Sequence, residues 1–359
     1  MSDAGVTAIP AQAPPAEAEV ATPGSEEELA EILARATAKG RVVSIWGGGT
    51  HRDIGYPVEP DLVISTASLT GIEDWEPDDL TVVVRAGTPV EELENRLAEG
   101  GQTAVLPELP GAATVGGAVA TASSSYRRLR YGPTRDRMLE VRAVTGDGRI
   151  VKGGGRVVKN VSGYDLPRLY TGSLGSLGVI TSVCLKLWPR SEAEATVRVG
   201  EVPGSELLYR PLAILETRSG ITVLLAGTGP EVEDQVRRLG GRVEANALTY
   251  PAPFNDDAVW SLRVRPSLLG EARSRLPSRV AFVIQHQVGE VSFAPGSEFD
   301  PADLRAWAEA GGGALVRVRG RGEADPWGTP PPGLELQRRV VAAFDPGRVL
   351  EPGRLPGEI

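Results

Sequence analysis

The sequence predicts an α+β protein built from two domains, and three observations lead there. The 359 residues suffice for two ordinary domains at roughly 150 residues each. Helix and strand signals alternate through the first hundred residues or so. After Arg190, strand-like runs dominate and are interleaved with arginine-bearing helical patterns.

Residues 1–22 are rich in Ala, Pro and Glu and are expected to be disordered. Ser25 followed by Glu26, Glu27 and Glu28 is a capping box ahead of an Ala/Leu/Ile pattern that stops at Gly40. The apolar run 42–46 reads as a buried strand. Residues 62–65 and 81–85 read as further strands, and Pro89 takes the first position of a second helix. The stretch 105–135 is poor in large apolar residues, and a long stretch of that kind inside a compact domain is usually functional. Residues 139–145 and 149–152 flank Gly146, Asp147 and Gly148, a hairpin signal. A long β-type run covers 179–188. In the second part, 221–226, 259–264, 280–286 and 314–319 read as strands, and 231–239 as a helix. Residues 320–333 form a Gly/Pro-rich linker before a last helix at 335–344. The expected domains are therefore 23–190, then 191–333, with 334–359 returning to the first.

Composition removes several classes of function. With 38 Lys and Arg against 47 Asp and Glu, the net charge is −9, which argues against nucleic acid and a polybasic membrane surface. No apolar run approaches the roughly 20 residues of a membrane helix, and no leader pattern is evident. The expected location is cytoplasmic, with docking at the inner face of a membrane left to partner subunits. A single cysteine, Cys184, cannot hold an iron–sulfur cluster, which takes about four ligands. Only His51 and His286 are available for zinc or for proton transfer, so redox chemistry has to come from an organic cofactor.

Three glycine-rich segments carry the chemistry. Trp46, Gly47, Gly48, Gly49 and Thr50 follow a strand, and successive N–H groups in such a turn make a nest for anions such as a pyrophosphate. Read alone, the loop serves equally well as a tight turn. The second segment, 111–121, contains Ala112, Thr114, Val115, Gly116, Gly117, Ala120 and Thr121; it fits a helix starting against a phosphate or a small-residue packing seam. The third runs through Lys159, Asn160, Val161, Ser162, Gly163, Tyr164 and Asp165 to Gly172, Gly175, Gly178, Val179 and Ile180. It could lay backbone groups along a flat ring or form two surface loops. The dinucleotide fingerprint of nicotinamide enzymes is missing, as is the phosphate loop of ATPases.

The order of these loops, with Tyr131-Gly132, Asp147-Gly148 and the closing Asp345-Pro346-Gly347 and Glu351-Pro352-Gly353-Arg354, resembles the FAD domain of the vanillyl-alcohol oxidase/p-cresol methylhydroxylase superfamily. Within it, Tyr131-Gly132-Pro133-Thr134-Arg135-Asp136, the Lys159–Leu166 motif, Arg168-Leu169 and residues 172–180 are similar to the FAD-binding subunits of bacterial glycolate oxidases. The resemblance implies a two-subdomain FAD domain of the p-cresol methylhydroxylase type plus an α+β cap. It implies that Gly47, Gly48, Gly49 and Thr50, with Trp46 and His51 beside them, hold the FAD pyrophosphate. Leu106, Pro107, Ala112, Thr114, Val115, Gly116, Gly117, Ala120 and Thr121 would line the middle of the cofactor. Gly175, Gly178, Val179 and Ile180 would meet its rings through the backbone. Tyr131, Gly132, Asp136, Lys159, Asn160, Gly163 and Tyr164 would lie towards the isoalloxazine.

Departures from that pattern shape the expectation. Trp46 stands where relatives often carry arginine. Relatives with covalent flavin place a histidine at the position of Thr50, and His51 is one residue late, so FAD is expected to be non-covalent. Arg128 and Arg135, in an arginine cluster, are candidates for a carboxylate substrate or an acidic partner. His286 is the candidate base for the hydroxyl proton. Gly313 stands where similar subunits tend to carry a histidine, and the metal cluster of a catalytic glycolate oxidase subunit is not visible. The leading reading is an FAD-binding, electron-passing subunit acting on a small 2-hydroxy acid such as glycolate or lactate, with a catalytic flavoprotein and an iron–sulfur protein as partners. A self-sufficient dehydrogenase and a scaffold without cofactor are the alternatives; the Lys159–Leu166 motif and the cap sequence speak against a peptidoglycan-precursor reductase.

Overall fold

The computed structural model describes residues 11–109, 111–156, 163–252, 254, 258–296 and 299–359. The chain divides into two compact units. Of the described residues, one holds those within 11–125, 133–189 and 330–359; the other holds those within 126–132 and 190–329.

The first unit opens with β1 (Glu19–Ala21), which pairs in parallel with a later strand. The expected disordered tail of 1–22 therefore gives way to a strand by Glu19. Its backbone finds partners in 62–64, and Arg41 pairs with Glu19 at 2.7 Å. Helix α1 (Glu26–Ala38) begins where the capping box places it, with the Ser25 hydroxyl accepting the Glu28 N–H. Leu29 and Leu33 lie one turn apart and are fully buried, each contributing about 1.5–3 kcal/mol of burial. Strands β2 (Val43–Trp46) and β3 (Leu62–Ser65) run parallel and complete a three-stranded sheet in the order β1-β3-β2. Residues 349–351 run alongside the free edge of β2: Val43 N–H donates to Val349 O, and Glu351 N–H donates to Val43 O.

A second sheet of the same unit contains β4 (Ile72–Glu76) and β5 (Thr81–Arg85). Helix α2 (Val90–Glu99) starts one residue later than expected, because Pro89 keeps an extended ψ of 137° and acts as the cap. The short β6 (Gln102–Thr103) precedes α3 (Val115–Ala120). Helix α4 (Arg128–Tyr131) groups with the other unit. The predicted hairpin forms from β7 (Met138–Val144) and β8 (Ile150–Gly154). After α5 (Leu166–Tyr170) comes β9 (Val179–Lys186), central in the order β4-β5-β9-β7-β8 and buried on both faces. A two-residue β10 (Trp188–Pro189) pairs with β6.

The second unit is an antiparallel eight-stranded sheet. Its strands are β11 (Ala193–Val199), β12 (Ala213–Thr217), β13 (Gly220–Gly227), β14 (Arg242–Ala245), β15 (Val259–Arg263), β16 (Ala281–Gln285), β17 (Glu290–Ala294) and β18 (Ala314–Arg319). They lie in the order β14-β11-β13-β12-β16-β17-β15-β18. Helices α6 (Gly229–Leu239), α7 (Leu269–Arg275) and α8 (Ala302–Ala310) accompany them. The Gly/Pro-rich stretch after β18 is held against this unit, since Arg317 donates to Ala324 O and Arg305 to Asp325 O. The chain then re-enters the first unit with α9 (Leu334–Phe344), whose Phe344 ring meets Tyr170 edge-on at 5.9 Å.

Candidate functional site

The parallel neighbours of β2 fix where its C-terminal end lies, and the three-glycine loop leaves from that end. A Cβ on Gly48 would stand 1.5 Å from Ala112 O, so the loop backbone lies directly on the 112–114 segment. Gly49 has φ +67°, and its N-terminal neighbour in space is Gln12, whose N–H donates to Gly49 O at 3.1 Å. These glycines are required first by loop-on-loop packing, and that packing builds the cleft.

The first loop contributes Gly47, Gly48, Gly49, Thr50 and His51 to the cleft wall. The 111–121 segment contributes Thr114, Gly116, Gly117, Ala120 and Thr121. The third contributes Gly175, Gly178 and Ile180. Three segments separated by up to about 130 residues of chain thus converge on one place. Ile45, Thr66, Ala86, Leu174, Arg52 and Arg354 also line it, and the sequence reading did not include them. The Thr114 hydroxyl caps α3 by accepting the Gly117 N–H at 3.2 Å. The Thr50 hydroxyl and His51 Nδ1 are 2.9 Å apart.

Charge beside the cleft is organised around Glu351. Its carboxylate is wholly buried and is met by Arg52 at 2.7 Å and Arg354 at 3.2 Å. Burial alone pushes its pKa up; Arg354 and Arg52, with hydrogen bonds from Arg52 and Ile45 N–H, outweigh that and hold it below the ordinary glutamate value.

Other expected site residues lie elsewhere. Leu106, Val115 and Val179 turn their side chains into the core, Val179 because strand residues alternate faces and Ile180 takes the cleft side. Trp46 is buried with Arg52 over its ring at 4.9 Å, and its indole N–H has no hydrogen-bond partner among the described residues. Pro107 is buried, and Ala112 contributes its carbonyl against Gly48. Asp136 pairs with Arg168 at 3.5 Å and with Arg135 at 3.7 Å on the surface, away from the cleft lining. Gly163 is exposed, as is Tyr164 at 91%. Lys159 and Asn160 lie outside the described residues. Tyr131 and Gly132 belong to the second unit, where Arg130 sits over the Tyr131 ring. Arg128 is bound to Glu290 at 2.6 Å. His286 follows β16 and is bound through Nε2 to Glu216 at 2.9 Å.

A dinucleotide with a diphosphate fits the donors of this cleft: a glycine loop of backbone N–H groups, hydroxyls and guanidinium charge. The enclosed part measures about 80 Å³, below the roughly 300–1,000 Å³ of pockets that swallow a drug-sized ligand. A cofactor of that length is longer than the enclosed part.

Comparison with known proteins agrees with this chemistry. The FAD binding domain family matches residues 18–154. A D-lactate dehydrogenase of Archaeoglobus fulgidus is 38% identical over 174 residues, covering 48% of this chain and 39% of that protein. The glycolate oxidase subunit GlcD of Bacillus subtilis is 31% identical over 182 residues, 50% of this chain and 38% of the relative. Against those two the chain spans less than half of the relative's length. A solved alkyldihydroxyacetonephosphate synthase shares the fold, with TM-score 0.68 at 16% identity over 92% of this chain and 75% of that one. The glycolate oxidase subunit GlcE of Escherichia coli is 35% identical over 350 residues, 93% of this chain and 98% of the relative. The chain therefore belongs to the FAD-binding oxidoreductase family of the glycolate oxidase subunit GlcE.

Proposed function

We propose that this chain holds FAD non-covalently along the cleft and works as the FAD-binding subunit of a glycolate oxidase-like enzyme acting on a small 2-hydroxy acid. The observation that carries the reading is the near end-to-end match to GlcE in a chain whose three glycine segments meet at one cleft. FAD, when bound, supplies the acceptor for the electrons of the hydroxy acid. The chain's own part is binding. The loop from Gly47 to Thr50 offers N–H groups to a diphosphate, and Arg52 and Arg354 stand in the cleft wall. A single cysteine leaves an iron–sulfur cluster to a partner subunit, and a GlcD-like flavoprotein is the partner that the second relative suggests. Among the described residues no helix is long and apolar enough to cross a membrane.

The test is the visible spectrum of the purified chain without oxygen, before and after glycolate. A yellow protein that releases its flavin on acid precipitation and keeps its colour with glycolate fits a cofactor-holding subunit. Bleaching by glycolate would place the oxidation in this chain alone. A colourless chain that takes up no added FAD sinks the reading.

A further inference from the structure

Arg354 holds the two walls of the cleft together. Its Nε donates to Ile54 O at 3.0 Å, its Nη2 to His51 O at 3.1 Å and its Nη1 to Leu174 O at 3.4 Å. The first two carbonyls belong to the loop that follows the three glycines. The third belongs to the loop ahead of β9 that carries Gly175 and Gly178. Its partner Glu351 does the same for the end of β2: Oε1 accepts the Ile45 N–H at 2.8 Å, and Oε2 accepts the Ser44 hydroxyl at 3.0 Å. Arg52 bridges back, donating to Glu351 and to Ile45 O at 3.0 Å. A buried ion pair is poor value as plain stabilisation, because an apolar replacement of similar volume is often as stable. What an apolar replacement could not do is satisfy three carbonyls on two loops at fixed spacing.

We propose that Glu351, Arg52 and Arg354 are positioning residues that hold the glycine loop and the 174–178 loop at the separation FAD binding needs. The inference rests on the reading that the cleft holds FAD, and it deepens that reading by naming what sets the cleft's shape.

Arg354→Gln is the main variant, since Glu351 keeps Arg52 as a one-to-one partner and is not left as a buried unpaired charge. Arg354→Lys keeps the charge but loses the planar fork. FAD affinity is measured by flavin fluorescence titration of the apoprotein, beside its melting temperature and amide exchange in the cofactor-free state. We expect Arg354→Gln to raise the FAD Kd roughly tenfold or more, the scale of lost hydrogen bonds to a charged donor. Arg354→Lys is expected to stay within about threefold of Arg354→Gln, because geometry and not charge is what it lacks. Amides of 47–54 and 174–178 should exchange faster in the free variants than in the free wild type. A folded Arg354→Gln that binds FAD within about twofold of wild type, or whose loops exchange at the wild-type rate, overturns the proposal. Wild type taking up no FAD would instead sink the reading of the cleft, and the exchange data, gathered without cofactor, would still decide on the positioning. Should Arg354→Gln not fold, Arg354→Lys supplies the same comparisons.

Discussion

His286 and Glu216 meet at 2.9 Å, ring Nε2 to carboxylate Oε2, and Arg273 closes on the other oxygen of the same carboxylate. The histidine expected as a base, just past the end of β16, is thus hydrogen-bonded to a carboxylate on β12. Replacing it with glutamine should cost about 1 kcal/mol of unfolding free energy and leave the FAD content unchanged. Denaturant titration and the flavin absorbance of the purified variant check both halves. A variant that keeps its fold and cofactor but no longer turns over in the assembled enzyme would return His286 to the chemistry.

Gly48 and Gly117 both line the cleft but answer differently to an added methyl group. At Gly48 the new carbon would sit 1.5 Å from a backbone oxygen, and neither loop can yield cheaply. At Gly117 the nearest atom is the Thr114 hydroxyl at 3.1 Å, and the site is helical. Gly48→Ala should lower stability by several kcal/mol and abolish flavin uptake, while Gly117→Ala keeps stability within about 1 kcal/mol. Melting curves of the two apoproteins separate the cases.

Asp345 gives stability a slope with pH. Burial, helped by the nearby Asp147, raises its pKa above the ordinary aspartate value despite N–H groups from Leu350 and Val349, and one carboxylate oxygen has no hydrogen-bond partner among the described residues. The folded state therefore holds the proton more tightly than the unfolded chain. Its contribution is complete below the ordinary aspartate pKa, roughly 3.9, and is lost as pH rises through the raised value. Asp345→Asn should flatten that fall, which melting temperatures recorded upward from about pH 4 would show. A fall of unchanged slope in the variant would assign it to other groups.

Cys184 should be inert while the protein is folded. Its thiol is buried in β9, and burial pushes its pKa up to about 11. A maleimide at neutral pH is expected to label it only after denaturant is added. Labelling of the native protein would show that β9 opens.

Arg128 and Arg135, both weighed as carboxylate binders, have different surroundings. Arg128 is largely buried against Glu290, whereas Arg135 is 59% exposed beside Asp136. Arg128→Gln should destabilise the protein by about 1–3 kcal/mol, and Arg135→Gln by less than about 0.5 kcal/mol. An effect of Arg135→Gln on partner capture or substrate KM at unchanged stability would mark it as the functional one of the pair.

The first unit was readable because its signals are local. An apolar run before three glycines, a capping box and an Asp147-Gly148 turn each declare themselves within about ten residues, and the loops between them carry the family resemblance. The second unit declared its apolar strands and the helix at 231–239, which the structure starts two residues earlier, at Gly229. The edge strand β14 is four residues long and largely exposed, so the alternation of Arg242 and Glu244 with Val243 and Ala245 is too short to stand out. Glu351, Arg52 and Arg354 were hidden for another reason. Glu351 and Arg354 flank a Pro-Gly turn and Arg52 follows a glycine loop, places where charged residues are usually solvated, and only the fold shows that 349–351 run along β2 and carry the Glu351 charge inside. The sequence signal that existed was the Glu351-Pro352-Gly353-Arg354 motif itself, recognised as part of the pattern but not as part of the cleft.

The bond between Ile45 N–H and the Glu351 carboxylate spans 306 positions of chain. At roughly 5–20 residues per second of synthesis, its donor waits about 15–60 s for its acceptor. During that interval every glycine loop has been made, yet Val43 lacks the strand that will cover its edge, and Arg52 lacks its counter-charge. A nascent chain that has not reached Glu351 therefore has a cleft without its bracing carboxylate. On the positioning proposed above, flavin uptake is expected to follow the making of Glu351 and Arg354.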